Sequence, residues 1–283
     1  MFPKAIDYHK PGKPLIPNGL GILYVLASVA YLFILYFLNF KNALPLASCI
    51  LFGGFMGVVD DWIDLKWRYK AFFPLFATIP LIALRQGRTI MDIPLLGLVD
   101  FAQIPYGLFI FYLLILPAIV TGTTNTINQL GGLNGLETIC PSLVMVGLMM
   151  TSRHRILLYV PFIVYVLLAF FNFRGKIFVG NTGSFAVGIT LAAFAIIVND
   201  EKVLLVSLLP FIFNSFLILF NRLVLGRHSS LKMEGDHLYA DHRRSLVTSI
   251  SYYKPLTEKQ LVTLISLIIS SFVSLAVLLW FIS

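Results

Sequence analysis

Charge is scarce in this chain. Of its 283 residues only 12% are Asp, Glu, Lys or Arg, while 58% are hydrophobic. A soluble domain carries about 25% charged residues, so the scarcity excludes a soluble globular domain and points to a polytopic membrane protein. Cysteine is nearly absent as well. Cys49 and Cys140 lie in apolar runs without metal-ligand spacing, which argues for packing roles and against a disulfide. Long linkers, low-complexity tracts and internal repeats are missing too. That leaves one membrane domain over residues 1–283 and weakens an inverted-repeat transporter. No cleavable signal peptide is expected, because the first apolar run follows a polar, Pro-rich leader and has the length of an ordinary span.

What is present is apolar helix. The fold class is all-α and polytopic, with about nine transmembrane helices predicted at 19–40, 43–60, 70–85, 106–123, 135–151, 156–173, 182–198, 203–221 and 260–282. Most approach the ~20 residues a bilayer helix needs. The third is short and holds Pro74 and Pro80, which predicts a kinked, tilted or partly buried helix. Segment 86–106 reads as a short external hairpin. Of the 21 Lys and Arg residues, 15 fall in loops on the Met1 side and six on the other. This asymmetry places Met1 in the cytoplasm. The net charge of +8 then suits anionic lipid or phosphorylated ligands. Nucleic acid fits poorly, because the cations are split among short loops.

Against this apolar background the polar clusters stand out. The run 43–59 ends in Asp60, Asp61 and Asp64, followed by Lys66, Arg68 and Lys70. On a helix Asp60 and Asp64 share a face, with Asp61 about 100° around. Carboxylates at a membrane edge are costly and mark function; the plainer alternative is a solvated helix end. Gly53, Gly54 and Gly57 precede them at a spacing that lets another helix approach closely. The loop 123–137 gathers Asn125, Asn128, Asn134, Gly131, Gly132 and Glu137. Neutral amides there can hold a base, a sugar or a cation without burying charge. The segment 172–184, with Phe178, Gly180 and Asn181, is a Gly-rich turn opening a helix, suited either to phosphate or simply to a tight re-entry. The long loop 221–258 holds Arg227 and His228 with further His and Asp residues whose spacing matches no usual zinc set. Pyrophosphate contacts by Arg227 with His228 fit better. The leader 7–17, with three prolines, cannot be regular helix. It is either a lipid-headgroup anchor or a strap beside a phosphate site, with Lys10 or Lys13 in contact.

In this order the clusters resemble the polyprenyl-phosphate N-acetylhexosamine-1-phosphate transferases (glycosyltransferase family 4), and most nearly the archaeal and eukaryotic branch acting on dolichyl phosphate. Asp60-Asp61-x-x-Asp64-Leu65-x-Trp67-Arg68-x-Lys70 looks like the family's aspartate-rich loop. Asn125-x-x-Asn128-x-x-x-Gly132-x-Asn134-Gly135-Leu136-Glu137 is similar to the branch's Asn-rich loop, and Phe178-Val179-Gly180-Asn181-Thr182 to its Phe-Val-Gly-Asp-Thr loop. The Asp7-x-x-Lys10-Pro11 leader and Arg227-His228 add to the likeness. The matches span nearly the whole chain.

The resemblance implies a Mg²⁺-dependent enzyme, with Mn²⁺ as an alternative ion, that joins a UDP-amino sugar to polyprenyl or dolichyl phosphate and releases UMP. It implies catalytic roles for Asp60, Asp61 and Asp64, and metal ligation by Asn128 and Asn181. It implies substrate contacts from Lys70, Asn125, Gly132, Asn134, Glu137, Phe178, Arg227 and His228, with Gly132, Asn134 and Phe178 on the uracil ring. The expected setting is an archaeal cell membrane with the site in the cytoplasm; a homodimer stays open. Two departures stand out. Position 181 is Asn where the family has Asp, and the family's first of ten helices has no counterpart. The alternatives are a flippase or transporter for a nucleotide sugar or anionic lipid, and a non-catalytic relative motivated by Asn181. A transporter should carry ionisable groups near the bilayer midplane, whereas these clusters gather at one edge.

Overall fold

A computed structural model describes residues 2–84, 89–93, 97–226 and 231–282. Helices dominate, and a helical segment occupies each of the nine predicted places. In order they are α1 (Gly21–Phe37), α2 (Ala43–Ile63), α3 (Trp67–Phe72) and α4 (Thr78–Leu84), then α5 (Gly107–Ile110) running into α6 (Leu116–Gln129). They continue with α7 (Leu136–Thr151), α8 (Tyr159–Phe173), α9 (Gly180–Val198), α10 (Glu201–Ser207), α11 (Leu209–Leu223), α12 (Leu246–Tyr253) and α13 (Glu258–Ile282). Among the described residues five helical runs are long and apolar enough to cross a membrane: 43–63, 107–129, 155–173, 180–198 and 258–282. The pair α10 and α11, bent by 54°, makes a sixth, and α1 and α7 are shorter apolar helices. The third predicted span is broken at Pro74: a tight 3₁₀ turn, Phe73–Ala77, separates α3 from α4, while Pro80 sits within α4.

The chain is not purely helical. The hairpin expected in 86–106 is present as β3 (Ile90–Ile93) paired with β4 (Gly97–Asp100). Two further small sheets are additions to the predicted picture. In the leader, β1 (Lys4–Ile6) pairs antiparallel with β2 (Leu15–Pro17) around a turn where Gly12 and Lys13 take φ of 74° and 44°. In the last loop, β5 (Leu231–Glu234), β6 (His237–Ala240) and β7 (Leu256–Thr257) form a three-stranded sheet. These segments have no long apolar run, so hydropathy alone passes over them.

The axis of the bundle is α9. Its residues Thr182–Ile197 are buried on every face, the mark of a helix surrounded by others rather than by lipid. Outward-facing apolar residues sit instead on the peripheral helices: Phe33 and Phe37 on α1, Ile163 and Leu167 on α8, Phe213 and Phe216 on α11, Leu267 and Leu278 on α13.

Glycine sets how closely α2 meets α9. A Cβ on Gly53 would stand 2.7 Å from Ile189 Cδ1, and one on Gly57 would stand 2.3 Å from Thr182 Cα. Gly54 faces elsewhere, toward the Val25 side chain of α1. The three glycines therefore serve two neighbours rather than one. At Gly57 the obstacle is backbone, which cannot rotate aside.

We expect Gly57→Ala to force α2 and α9 apart at a cost of about 1–3 kcal/mol, read as a lowered melting temperature of the purified protein. Gly54→Ala meets only the Val25 side chain and should melt closer to wild type.

Candidate active site at the α2–α9 crossing

The three aspartates at the end of α2 have three different environments. Asp60 is 2% exposed. Its Oδ1 accepts the Lys70 Nζ proton at 2.9 Å and the Leu65 N–H at 3.0 Å, while Oδ2 is buried with no hydrogen-bond partner among the described residues. Asp64 ends the helix in the left-handed region, φ 48°, exposed to solvent, with Lys70 Nζ 3.2 Å from its Oδ1. Lys70 comes from α3, so the broken third span returns a cation over a buried anion.

Asp61 faces the other way, into the start of α9. Its Oδ1 accepts the Asn181 N–H at 2.8 Å; its Oδ2 accepts the Thr182 N–H at 3.0 Å and the Thr182 hydroxyl at 2.7 Å. A carboxylate on the free N–H groups of a helix N-terminus is favoured by the helix dipole. Gly180 takes φ 70°, and a Cβ there would stand 2.6 Å from Asp61 Oδ2, so the turn needs glycine for both conformation and space. Asp61 acts here as a strut between two helices, with three donors already bound.

Asn128 and Asn181, the predicted metal ligands, are neighbours. The Asn128 amide donates one proton to Asn181 Oδ1 at 3.0 Å and the other to Ser184 Oγ at 2.8 Å. Asn125, three residues earlier on α6, is committed to a tether: its Nδ2 donates to the Ala71 carbonyl at 2.9 Å, next to Lys70. Asn172 locks the loop from below. It accepts the Gly135 N–H at 2.8 Å and donates to the Ile177 carbonyl at 2.8 Å, binding the Asn-rich loop to the turn before α9.

A cavity of about 370 Å³ opens beside Asp61, Gly180 and Asn181. Five of the predicted site residues line it: Asp61, Gly132, Glu137, Phe178 and Asn181. Gly132 adopts φ 105°, a conformation side chains rarely take. The opposite wall is the leader, through Asp7, Tyr8, His9 and Asn18. The leader thus borders this cavity, with Lys10 Nζ 3.1 Å from Asp7 and Lys13 Nζ 5.9 Å from the Tyr8 ring. A second cavity of about 510 Å³ adjoins through Tyr8, His9, Gly132 and Leu133 and extends to Asn214 and Thr248. A third, of about 360 Å³, shares Asn18 and Asp61 and is walled by Phe2, Ile22, Val58 and Trp62.

Asn134 lies beneath the leader, 3% exposed. Arg227 and His228 lie outside the described residues. Hydropathy and motif reading pass over Asp7, Thr182, Ser184 and Glu258 as members of the site. Asp7 and Thr182 carry a signal only as members of matched segments, the Asp-x-x-Lys-Pro start of the leader and the Phe178–Thr182 loop. Among the described residues, Asp7, His9 and Glu258 bring ligand atoms within 4.8 Å of one another, but both carboxylates already accept protons from Asn134.

A buried acid–lysine pair, a helix N-terminus and a cluster of amides thus meet at one end of an apolar bundle, and the comparisons give the class: an integral-membrane transferase. A model of the family described as glycosyl transferase family 4 matches residues 43–199. The chain belongs to that family. It is 30% identical to a Saccharolobus solfataricus protein, provisionally named UDP-N-acetylglucosamine–dolichyl-phosphate N-acetylglucosaminephosphotransferase, over 86% of this chain and 77% of that one. A Sulfolobus acidocaldarius protein with the same provisional name is 33% identical over 67% of this chain and 61% of its own length. The Dictyostelium discoideum enzyme so named is 28% identical over 91% of this chain and 76% of its own.

If Asp61 is a strut, Asp61→Asn should lower the melting temperature by an amount corresponding to about 1–3 kcal/mol, since an amide cannot accept all three bonds. Asp64→Asn, at an exposed position, should leave melting nearly unchanged.

Proposed function

We propose that this chain transfers N-acetylglucosamine-1-phosphate, or a related amino-sugar phosphate, from a UDP-sugar to a polyprenyl or dolichyl phosphate, with release of UMP. The observation that carries the reading is the meeting of two cavities at Asp61: a polar one bounded by the Asn-rich loop and an apolar one bounded by Trp62, Val58 and Ile22. A nucleotide sugar fits the first, and a prenyl chain ending in phosphate fits the second. The cation-rich loops on this side favour a cytoplasmic site.

In the reaction a lipid phosphate oxygen attacks the β-phosphorus, and the bond between that phosphorus and the oxygen bridging to the α-phosphate breaks. Phosphoryl transfer asks a protein mainly for positioning and charge compensation. In this reading Asp60 orients the lipid phosphate and takes its proton, with Lys70 and the Leu65 N–H holding its carboxylate. Lys70 carries the positive charge nearest to it. Gly132, Phe178 and Asn134 hold the base, and Glu137 lines the cavity between base and phosphates. By the family resemblance, Arg227 and His228 would contact the diphosphate.

The residues present fit a divalent cation. The donors are oxygen, as Mg²⁺ requires: the amide oxygens of Asn128 and Asn181, of which Asn181 Oδ1 accepts an Asn128 amide proton that the ion would displace. When bound, the ion would neutralise charge developing on the diphosphate. Asn181 contributes no negative charge, so the ion must lean more on substrate phosphates than it would with Asp there.

The test is incubation of the purified protein with Mg²⁺, polyprenyl phosphate and labelled UDP-N-acetylglucosamine, following UMP and lipid-linked sugar. Turnover is expected, falling at least about 100-fold in Asp60→Asn. Absence of product across several UDP-sugars and lipids, with nucleotide still bound, would instead make the chain a non-catalytic relative. In a separate titration, Asn181→Asp should reach half-maximal rate at a lower Mg²⁺ concentration; an unchanged titration would remove Asn181 from the ion's shell.

A further inference from the structure

The last loop carries a cation held by aromatic rings rather than by an acid. Arg243 is exposed, and its guanidinium carbon stands 5.6 Å from the ring centres of both Tyr252 and Tyr253. It also donates a proton to the Tyr253 hydroxyl. The two rings meet edge to face, 5.2 Å apart at 89°, and they hold the guanidinium in place without neutralising its charge. Asp241, the acid nearest in sequence, is taken by Lys232 at 2.6 Å. Among the described residues no carboxylate pairs with Arg243, and the bond to Tyr253 leaves most of its five N–H donors for another acceptor. The fold also sets the depth of this group. The Arg243 carbonyl accepts from Asn221 Nδ2 at 3.4 Å, in the last turns of α11, the helix bent by 54° from α10. Phe220, Leu223 and Val224 at that end are 41%, 69% and 66% exposed and belong in hydrocarbon. Tyr252 and Tyr253 beside them are exposed as well. Tyrosine at the end of a spanning helix marks the headgroup layer, where phosphate is the acceptor within reach.

We propose that Arg243, Tyr252 and Tyr253 form a binding site for the phosphate of an anionic phospholipid headgroup, which pins α12 to the membrane surface. A guanidinium takes a phosphate through two parallel N–H···O bonds. A zwitterionic headgroup brings its own ammonium to that phosphate, so a headgroup of net negative charge is preferred. The effect carries inward through short bonds. The N–H groups of Arg244 and Ser245 are held by Thr248 Oγ1 at 2.9 and 2.7 Å, and the Leu246 N–H by Asn214 Oδ1 at 2.9 Å. Ser245, Val247 and Thr248 then wall the 510 Å³ cavity. A lipid on Arg243 thus steadies one wall of that cavity from outside. The site goes beyond the transfer reaction proposed above and uses none of its residues.

To test this, the full-length protein in detergent is titrated with phosphatidylglycerol or with phosphatidylcholine of the same acyl chains. Bound lipid is counted by native mass spectrometry, alongside the melting temperature. The wild type should retain phosphatidylglycerol in preference to phosphatidylcholine and melt higher with it. Arg243→Gln should weaken phosphatidylglycerol binding by about tenfold or more. Lys259→Gln removes an exposed cation from the same end of the bundle and should weaken it by no more than about fivefold. Equal losses in the two variants would reduce the effect to diffuse surface charge and overturn the site. So would equal retention of the two lipids by the wild type, or protection by inorganic phosphate as strong as that by the lipid. If Arg243→Gln does not fold, Arg243→Lys keeps the charge without the planar fork and should lose part of the preference for phosphatidylglycerol. An unchanged preference in that variant overturns the site as well.

Discussion

The joint between Asp61 and the first turn of α9 is what the rest of the site hangs from. Three hydrogen bonds from Asn181 and Thr182 converge on one carboxylate, and they form only because Gly57 and Gly180 leave room for backbone to approach backbone. Helix association in a bilayer gains little from apolar contact, since lipid is equally apolar, and depends on close packing and polar bonds. Here both occur at the same crossing. The strut fixes where Asn181 stands, Asn181 receives the Asn128 amide, and the Asn-rich loop takes its position from there.

The apolar runs made the helices legible, and the prolines of the third span marked it as irregular, with Pro74 at the interruption and Pro80 inside α4. The two unforeseen sheets lie in polar stretches where neither alternation nor a long apolar run gave a signal. The site was legible in composition but not in division of labour. Adjacent residues Asp60 and Asp61 look equivalent in a motif, yet a turn of about 100° sends one to Lys70 and the other to α9. Asn125 and Asn128 likewise share a face by count, while one anchors α3 and the other joins α9. Glu258 gave no signal at all, because its role depends on a contact 124 residues away in sequence.

Neutral amides recur where a soluble enzyme would use more charge. Asn128, Asn134 and Asn172 each have both amide protons or both ends engaged by named neighbours. An amide held this way has a defined donor side and a defined acceptor side without the desolvation cost of an ion. The chain can then place polarity at a membrane edge with few carboxylates. Glu137 is the single charged side chain between Asp100 and Arg153.

The triple contact of Asp7, Asn134 and Glu258 also has a consequence for how the protein is made. It joins the leader, a mid-chain loop and the start of the final helix, with spacings of 127 and 124 residues. Contacts of such sequence separation form late, after the intervening chain has been ordered. As the helices enter the membrane in order of synthesis, the leader and the Asn-rich loop wait for α13 to supply the second acid. This wall of the cavity is thus closed only once α13 has arrived, and a chain halted before α13 carries the motifs without the closed wall.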